Sequence, residues 1–535
     1  MSHPARHPFA RRDPEARRDL LSCTLAPAIL ALAFAACAPS ADPAASDFTE
    51  FVATDPEARG LRLARRGAAP GYVLFSPLIS GTSYLVDAAG QVVHTWDSDF
   101  APLSLYLLDN GNLLRLAHEP KSTAFQAGGE AGRIQELTWD GEVVWDWVLA
   151  DDERLLHHDI EVLPNGNLLA IAWERRSHEE ALARGRLPDL VNDKGLWPEW
   201  VLEIEPIPPR EARIVWEWHV WDHLVQDQDP QRENYGELAA YPGRVDVNGD
   251  RHKPKPTQDE IDQLRALGYI SDDVEPEDLR PDFLHINSID YHARLDQILL
   301  SVPAYNEIWV LDHSVSTEEA RGSTGGRAGR GGELLYRWGN PMLYGRAAES
   351  DRIFGSQHDA NWIPEGLPGT GNILVFNNEA GRGEEKFSTV LEIAPPLDGQ
   401  GGYQLVEGAA YGPDTPAWSY EAADRTSFYS MFISGAQRLP NGNTFVTSGH
   451  QGRLFEVTPS SEIVWEYWNP FSGNVREPDG SLPQPLPPGA GYSIFRATKI
   501  PAGHPGLVGR DLNPLDPQPE PVLPPEPDPP PVSEE

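Results

Sequence analysis

The chain has 535 residues and a formal net charge of −38. That charge excludes nucleic acid and an acidic membrane surface as partners, because the attraction that drives such binding would have the wrong sign. Its two cysteines, Cys23 and Cys37, lie near the start, so beyond them no disulfide, thiol nucleophile or cysteine metal site can form.

Residues 1–37 read as an export signal: Arg11, Arg12, Arg17 and Arg18 precede the apolar run Leu20 to Ala36, which ends in Phe34-Ala35-Ala36-Cys37. The cysteine after two alanines is similar to a lipoprotein cleavage site, with Cys37 lipidated as the new N-terminus. An ordinary signal peptide cleaved nearby is the alternative. The run is shorter than the roughly 20 residues a membrane-spanning helix needs. An exported protein follows, in the periplasm or on the outer membrane or cell surface, touching a membrane only through its lipid anchor. Residues 38–69, rich in Ala, Asp, Glu and Arg, read as a tether and a short lead-in.

From residue 70 a unit recurs, seen whole in 432–468. A strand leads to the turn Pro440-Asn441-Gly442-Asn443, where Asn-Gly supplies the positive φ a hairpin needs, and two further strands follow, Arg453 to Val457 and Glu462 to Trp468. The turn recurs at Leu108–Asn112, at Leu163–Asn167 and, stretched, at Ile363–Asn372; His292 to Gln297 fills the slot without glycine. A closing hairpin ending in Trp recurs at Tyr84–Trp96, Glu136–Trp147, Leu202–Trp218, Ile308–Trp338, Val390–Trp418 and Leu454–Trp468.

Recurrence of short antiparallel strands predicts an all-β fold, a six-bladed β-propeller over residues 70–512. A β-sandwich or two all-β domains would not explain a unit repeated at one spacing. First hairpins are one short, so Tyr492 to Ile500 is expected to join Gly71 to Ser76 in a blade closed by both termini. An insertion at 221–281, with a helix expected over Asp259 to Leu267, stands between the second and third blades, where it could cover a site. Within it, Asp246 to Asp250 resembles the start of a calcium loop, but Thr257 holds the position of the bidentate Glu, so it reads as an ordinary loop. Residues 513–535, proline and acid, are expected to be disordered and extended.

Aligning the blades on their turns puts His158, His358 and Ser434 in one register at the start of the innermost strand. His285 fits the same slot by its alternation with Asn287 and Ile289. The first blade has Leu103 there and the last has Phe495. His450, at the end of a second strand, falls on the same face, because the tight turn lies at the other end. Arg382 follows a second strand in the neighbouring blade; Glu119, Glu174 and Glu379 lie near the register of His450. Any one histidine alone is equally a strand-end residue bonded to the next blade, but four on one face point to a site, with His157 the alternative to His158. An arginine among them repels a metal cation and matches the oxygens of a sulfate or phosphate. No metal or cofactor is therefore expected.

LHINSIDYHARLDQILLS, FGSQHDANWIPEG, GNILVFNNEAGRG and ISGAQRLPNGNTFVTSGHQGRLFEVTPSSEIVWEYWNP resemble the bacterial arylsulfotransferase family. The likeness spans about residues 70 to 500. It implies a six-bladed propeller that transfers a sulfuryl group from an aryl sulfate donor to a phenolic acceptor through a sulfohistidine. By position it implies His450 as nucleophile, with Arg382, His285 and His358 on the sulfuryl oxygens or the leaving phenolate, and Lys386 as a stand-in for Arg382. His158, Asn287 and Asn361 are expected to contact substrate. The sequence departs from the pattern in two places. Family members known for the activity carry an N-terminal β-domain used for dimerisation, and Ser301 to Asn306 lacks the basic residue of the better-known branch. An aryl sulfate hydrolase and a non-catalytic cell-surface propeller are the rival readings; oligomeric state is left open.

Overall fold

The computed structural model describes residues 50–119, 124–252, 257–266, 275–381, 385–473 and 490–521. Five four-stranded antiparallel sheets and one six-stranded sheet make the six-bladed propeller. Numbered by innermost strand, blade 1 starts at Pro102–Leu107, blade 2 at Arg154–Val162, blade 3 at Ser288–His292, blade 4 at His358–Trp362, blade 5 at Gly435–Arg438 and blade 6 at Thr498–Ile500. In blade 6, Thr498 pairs with Leu74 and Ile500 with Tyr72, so a strand from the end of the chain lies against one from its beginning. All six Trp-ending hairpins form the third and fourth strands of a blade, counted from the innermost.

The ring is held by apolar layers, one between each pair of neighbours. Leu300 and Val302 of blade 3 pack with Leu169 and Ile171 of blade 2, and Phe75 and Tyr84 of blade 6 with Phe445 and Leu454 of blade 5. Each sheet buries both faces in this way, which is why its central strands read as continuous apolar runs. The outer-strand tryptophans add a directional bond. Trp145, Trp216, Trp338, Trp418 and Trp465 donate from Nε1 to Glu211, Val315, Pro413, Pro459 and Ala88 carbonyls on the next blade, at 2.8–3.1 Å. Each such bond is worth about 1 kcal/mol. Trp96 of blade 6 breaks the series: its Nε1 is buried without a partner, and the ring packs edge-on against Trp139.

The turn motif has its own reason. Gly111, Gly166, Gly371 and Gly442 sit at φ of +81° to +88°, and in the glycine-free turn of blade 3 Asp296 takes φ +57° instead. The Asn that follows each glycine reaches a Glu on the third strand: Asn112 to Glu136, Asn167 to Glu203, Asn372 to Glu392 and Asn443 to Glu456.

Both ends of the chain are more tightly bound than the sequence suggests. Gly60–Ala64 pairs with Ile463–Trp468 and carries Phe51–Val52 on its outer side, so blade 5 is a six-stranded sheet and two segments of the expected tether are strands. The cause is an open strand edge, which any extended segment nearby can pair with. Past residue 513, Leu515 N–H bonds the Val92 carbonyl at 2.9 Å and Gln518 bonds both polar groups of Val92. The extended tail expected from 513 is thus anchored as far as Gln518. Residues 1–49, with Cys37 and the expected signal, and 522–535 lie outside the described residues. No helix among the described residues is long and apolar enough to cross a membrane.

Candidate active site

The innermost strands of blades 1, 2 and 4 each shift register near the same end, between Pro102 and Leu105, Leu156 and Ile160, and His358 and Asn361. Bulges of this kind re-aim side chains. Their backbone is strained: His158 and Asp359 both lie at φ +55°, as does His285 just before the strand of blade 3, while Ile433 and Ser434 of blade 5 lie at +51° and +93°. Each costs on the order of 1–3 kcal/mol. The same strain repeated around one mouth of the ring is what turns the register residues toward each other.

His158 and His285 meet there, ring centroids 4.5 Å apart and nearly perpendicular. His285 Nδ1 is bonded to the Asp282 carboxylate, whose other oxygen accepts the His285 N–H at 3.1 Å. His158 Nδ1 lies 2.8 Å from His157 Nδ1, and His157 Nε2 lies 2.7 Å from Glu199. Burial drives His157 down to about 3 and His158 well below the usual imidazole range, the latter further depressed by His285, His157 and His358. Burial also drives Glu199 well above the usual carboxyl range, helped by Asp282. The Glu199–His157 contact is therefore a neutral pair sharing one proton, although its geometry is that of an ion pair.

His358 is a brace. Its Nδ1 faces Asn378 Oδ1 at 2.8 Å and the Ser356 carbonyl at 3.0 Å, and its Nε2 accepts the Ile433 N–H at 3.1 Å. Both nitrogens are used in the neutral tautomer, and burial pushes the ring to about 3. From Asn378 the network runs on: its amide donates to the carbonyls of Ser430 and Ile433, and Ser430 Oγ accepts the His450 N–H.

His450 sits on the short turn Gly449–Gln451 after the second strand of blade 5. Its backbone is clamped, the carbonyl accepting from Ser493 Oγ at 2.6 Å. Its ring lies 5.2 Å from Phe432 and neither nitrogen has a hydrogen-bond partner among the described residues. Burial lowers its pKa. The result is a neutral imidazole with the lone pair of its unprotonated nitrogen to use.

The other expected residues are distributed differently. Asn287 and Asn361 bond backbone carbonyls of the next blade, Gln357 and Ala436, and so join blades. Arg382 lies outside the described residues. Lys386 pairs with Glu379 at 3.2 Å and is largely exposed. Glu119 and Glu174 pair with Arg133 and Arg176. The carboxylates of the calcium-like loop are taken by arginines: Asp246 by Arg251 and Asp250 by Arg186. That loop packs on the histidine side, where the Tyr305 hydroxyl donates to the Asp246 carbonyl and Val245 and Val247 are buried. The expected helix in the insertion is present as Gln258–Ala266.

One constellation escaped the sequence reading. Arg496 spans the channel just inside the histidines, binding Asp159 of blade 2 at 2.5 Å, Asp359 of blade 4, and the Tyr106 hydroxyl of blade 1 at 3.2 Å. The signal was there: each of these three charged residues directly follows a position already aligned, Phe495, His158 or His358.

Comparison with solved structures returns chains of low likeness. A protein of unknown function from Bacteroides caccae is 11% identical over 75% of this chain and 94% of its own, with a TM-score of 0.39. A protein from Lactobacillus plantarum is 11% identical over 81% and 99%, TM-score 0.37. The β-propeller domain of Cps50 (Swd1) from Myceliophteria thermophila is 10% identical over 79% and 90%, TM-score 0.33. No curated protein matches the chain. The family model for arylsulfotransferase (ASST), however, matches residues 78–469, which hold five of the blades, the outer strands of the sixth and every histidine of the cluster, and the chain belongs to that family.

Proposed function

We propose that this sulfotransferase moves a sulfuryl group from an aryl sulfate ester to a phenolic acceptor through a sulfohistidine at His450. The observation that carries the reading is the imidazole of His450, held towards its neutral form by burial and with no hydrogen-bond partner on either ring nitrogen among the described residues. Neutral imidazole attacks sulfur; the S–O bond to the phenol breaks as the N–S bond forms. A histidine that carries a sulfuryl group is a good leaving group, so a phenol can take the group in a second step. His285, whose ring is oriented by the bond from Nδ1 to the Asp282 carboxylate, is placed to hydrogen-bond the sulfuryl oxygens as charge develops on them. Arg382 would share that task, on the strength of its position in the family pattern. His358 serves the site through the backbone of Ile433.

The same reading has the protein exported and anchored through Cys37, supported by the order of basic, apolar and small residues over 11–37. Release of nitrophenol from 4-nitrophenyl sulfate by the purified protein, with and without added phenol, tests the activity. Release that depends on phenol supports transfer. Release without it would make the enzyme a hydrolase, and none from any aryl sulfate would leave a binding propeller.

A further inference from the structure

Behind the histidine cluster lies a line of buried groups that the mechanism above leaves idle. Glu199, on the third strand of blade 2, is fully buried; one carboxyl oxygen accepts the Ile286 N–H at 2.9 Å and the other faces His157 Nε2 at 2.7 Å. His157, also fully buried, stacks on Trp173 at 4.1 Å and reaches His158 Nδ1 to Nδ1 at 2.8 Å. The far nitrogen of His158 has no hydrogen-bond partner among the described residues, and its ring looks onto His285 and, across the mouth, Phe495 at 6.2 Å. Gly129 makes room for that ring: at φ +84°, a Cβ there would fall 2.1 Å from Cε1 and Nε2. An edifice of this kind, two imidazoles head to head with a buried acid, exceeds what blade packing needs.

The three groups have two consistent proton arrangements. With Glu199 protonated, its O–H donates to His157 Nε2, His157 Nδ1–H donates to His158 Nδ1, and His158 carries its proton on Nε2. With Glu199 ionised, His157 donates from Nε2, His158 donates from Nδ1 to His157, and His158 Nε2 is a bare lone pair. The two states differ by one proton at His158 Nε2, and neither contains an imidazolium.

We propose that Glu199, His157 and His158 form a proton relay that protonates the departing phenolate and later takes a proton from the incoming phenol. It rests on the sulfuryl-transfer reading. In the first half-reaction the S–O bond breaks, the phenolate oxygen takes the Nε2 proton of His158, and one proton moves along each link, leaving Glu199 ionised. In the second, the acceptor phenol gives its proton to His158 Nε2, Glu199 is reprotonated, and the phenoxide oxygen attacks sulfur as the N–S bond to His450 breaks. Protons balance over the cycle. The surroundings of the relay favour this division: burial, and after it Asp282, raises the pKa of Glu199, while burial, and after it His285, His157 and His358, lowers that of His158. His158 is the catalytic residue; His157 and Glu199 act through it.

The test is a leaving-group series. The kcat/KM of the donor is measured for aryl sulfates from 4-nitrophenyl to phenyl sulfate, at fixed acceptor, for the wild type, Glu199→Gln and His157→Gln, with melting curves of each. Because the donor kcat/KM of a two-step exchange reports only the first half-reaction, it isolates the proton delivered to the leaving group. Each variant is expected to lose on the order of 100-fold with phenyl sulfate, and at least tenfold less with 4-nitrophenyl sulfate, whose phenolate departs without a proton. Equal losses across the series, in either variant with a normal melt, would overturn the relay and leave His450 chemistry intact. A wild type inert toward every ester would overturn the transfer reading, and the relay with it.

Discussion

Replacing Arg496 by Met should destabilise the propeller by about 3–5 kcal/mol, the cost of leaving buried charge unpaired. The guanidinium holds Asp159, whose side chain is 0% exposed, and Asp359, 9% exposed, and no other cation pairs with either among the described residues. What remains for them is weak: Asp159 keeps the Tyr106 hydroxyl at 2.8 Å and Ile289 N–H at 3.3 Å, and Asp359 keeps Ala436 N–H at 2.9 Å. Asp359 already has a raised pKa because of burial, and loss of the arginine removes the main opposing influence. A carboxyl whose folded pKa lies above its unfolded value weakens the fold as pH rises through that folded pKa. Urea unfolding of the variant should therefore show a larger loss near pH 8 than near pH 5, because the raised pKa of Asp359 lets it take up its proton as the pH falls. The triple variant Arg496→Met, Asp159→Asn, Asp359→Asn should recover most of the loss, since no charge is left to bury. A single-variant loss under about 1 kcal/mol, or one that grows on acidification, would mean that Arg496 does not neutralise these carboxylates.

Three further outcomes follow from the same geometry. Burial lowers the pKa of His450, so the neutral nucleophile persists below the usual imidazole value of about 6.5; the acid limb of kcat/KM should lie under that value, and a limb above it would contradict the assignment. Trp465→Phe should cost about 1 kcal/mol more than Trp96→Phe by urea melts, because both rings are 1% exposed but only Trp465 bonds the next blade. A chain ending at Ala497 loses the strand Thr498–Ile500, leaves Tyr72–Phe75 as a bare edge and should fail to give soluble folded protein, whereas one ending at Pro521 should melt as the full chain does.

The fold was legible because its unit is marked twice, once by Asn-Gly and once by Trp, and both marks have structural causes. Glycine meets a φ that other residues resist, and the tryptophan nitrogen reaches a carbonyl on the next blade. The ends of the chain were harder to read. Gly60–Ala64 joins blade 5 and Leu515 bonds Val92 through main-chain groups, which leave little trace in side-chain pattern. In the site, alignment on the turns placed His158 and His358, and alternation with Asn287 and Ile289 placed His285, at one mouth, because strand register is carried by a period of two. It could not distinguish a histidine with two engaged nitrogens, His358, from one with none, His450, since that depends on the amide of Asn378 and the N–H of Ile433 in another blade. Glu199 and Asp282 were invisible for the same reason: each meets its histidine only once blades 2 and 3 are packed together.

A nucleophilic His450 holds the sulfuryl group between the two half-reactions. Incubating the protein with an aryl sulfate and no acceptor, then digesting it under neutral conditions and mapping the peptides by mass spectrometry, locates that group. One sulfuryl increment is expected on the peptide containing His450, removed by added phenol and absent from His450→Ala. An increment on His158, His285 or His358 instead, or turnover that proceeds in His450→Ala, would contradict that role.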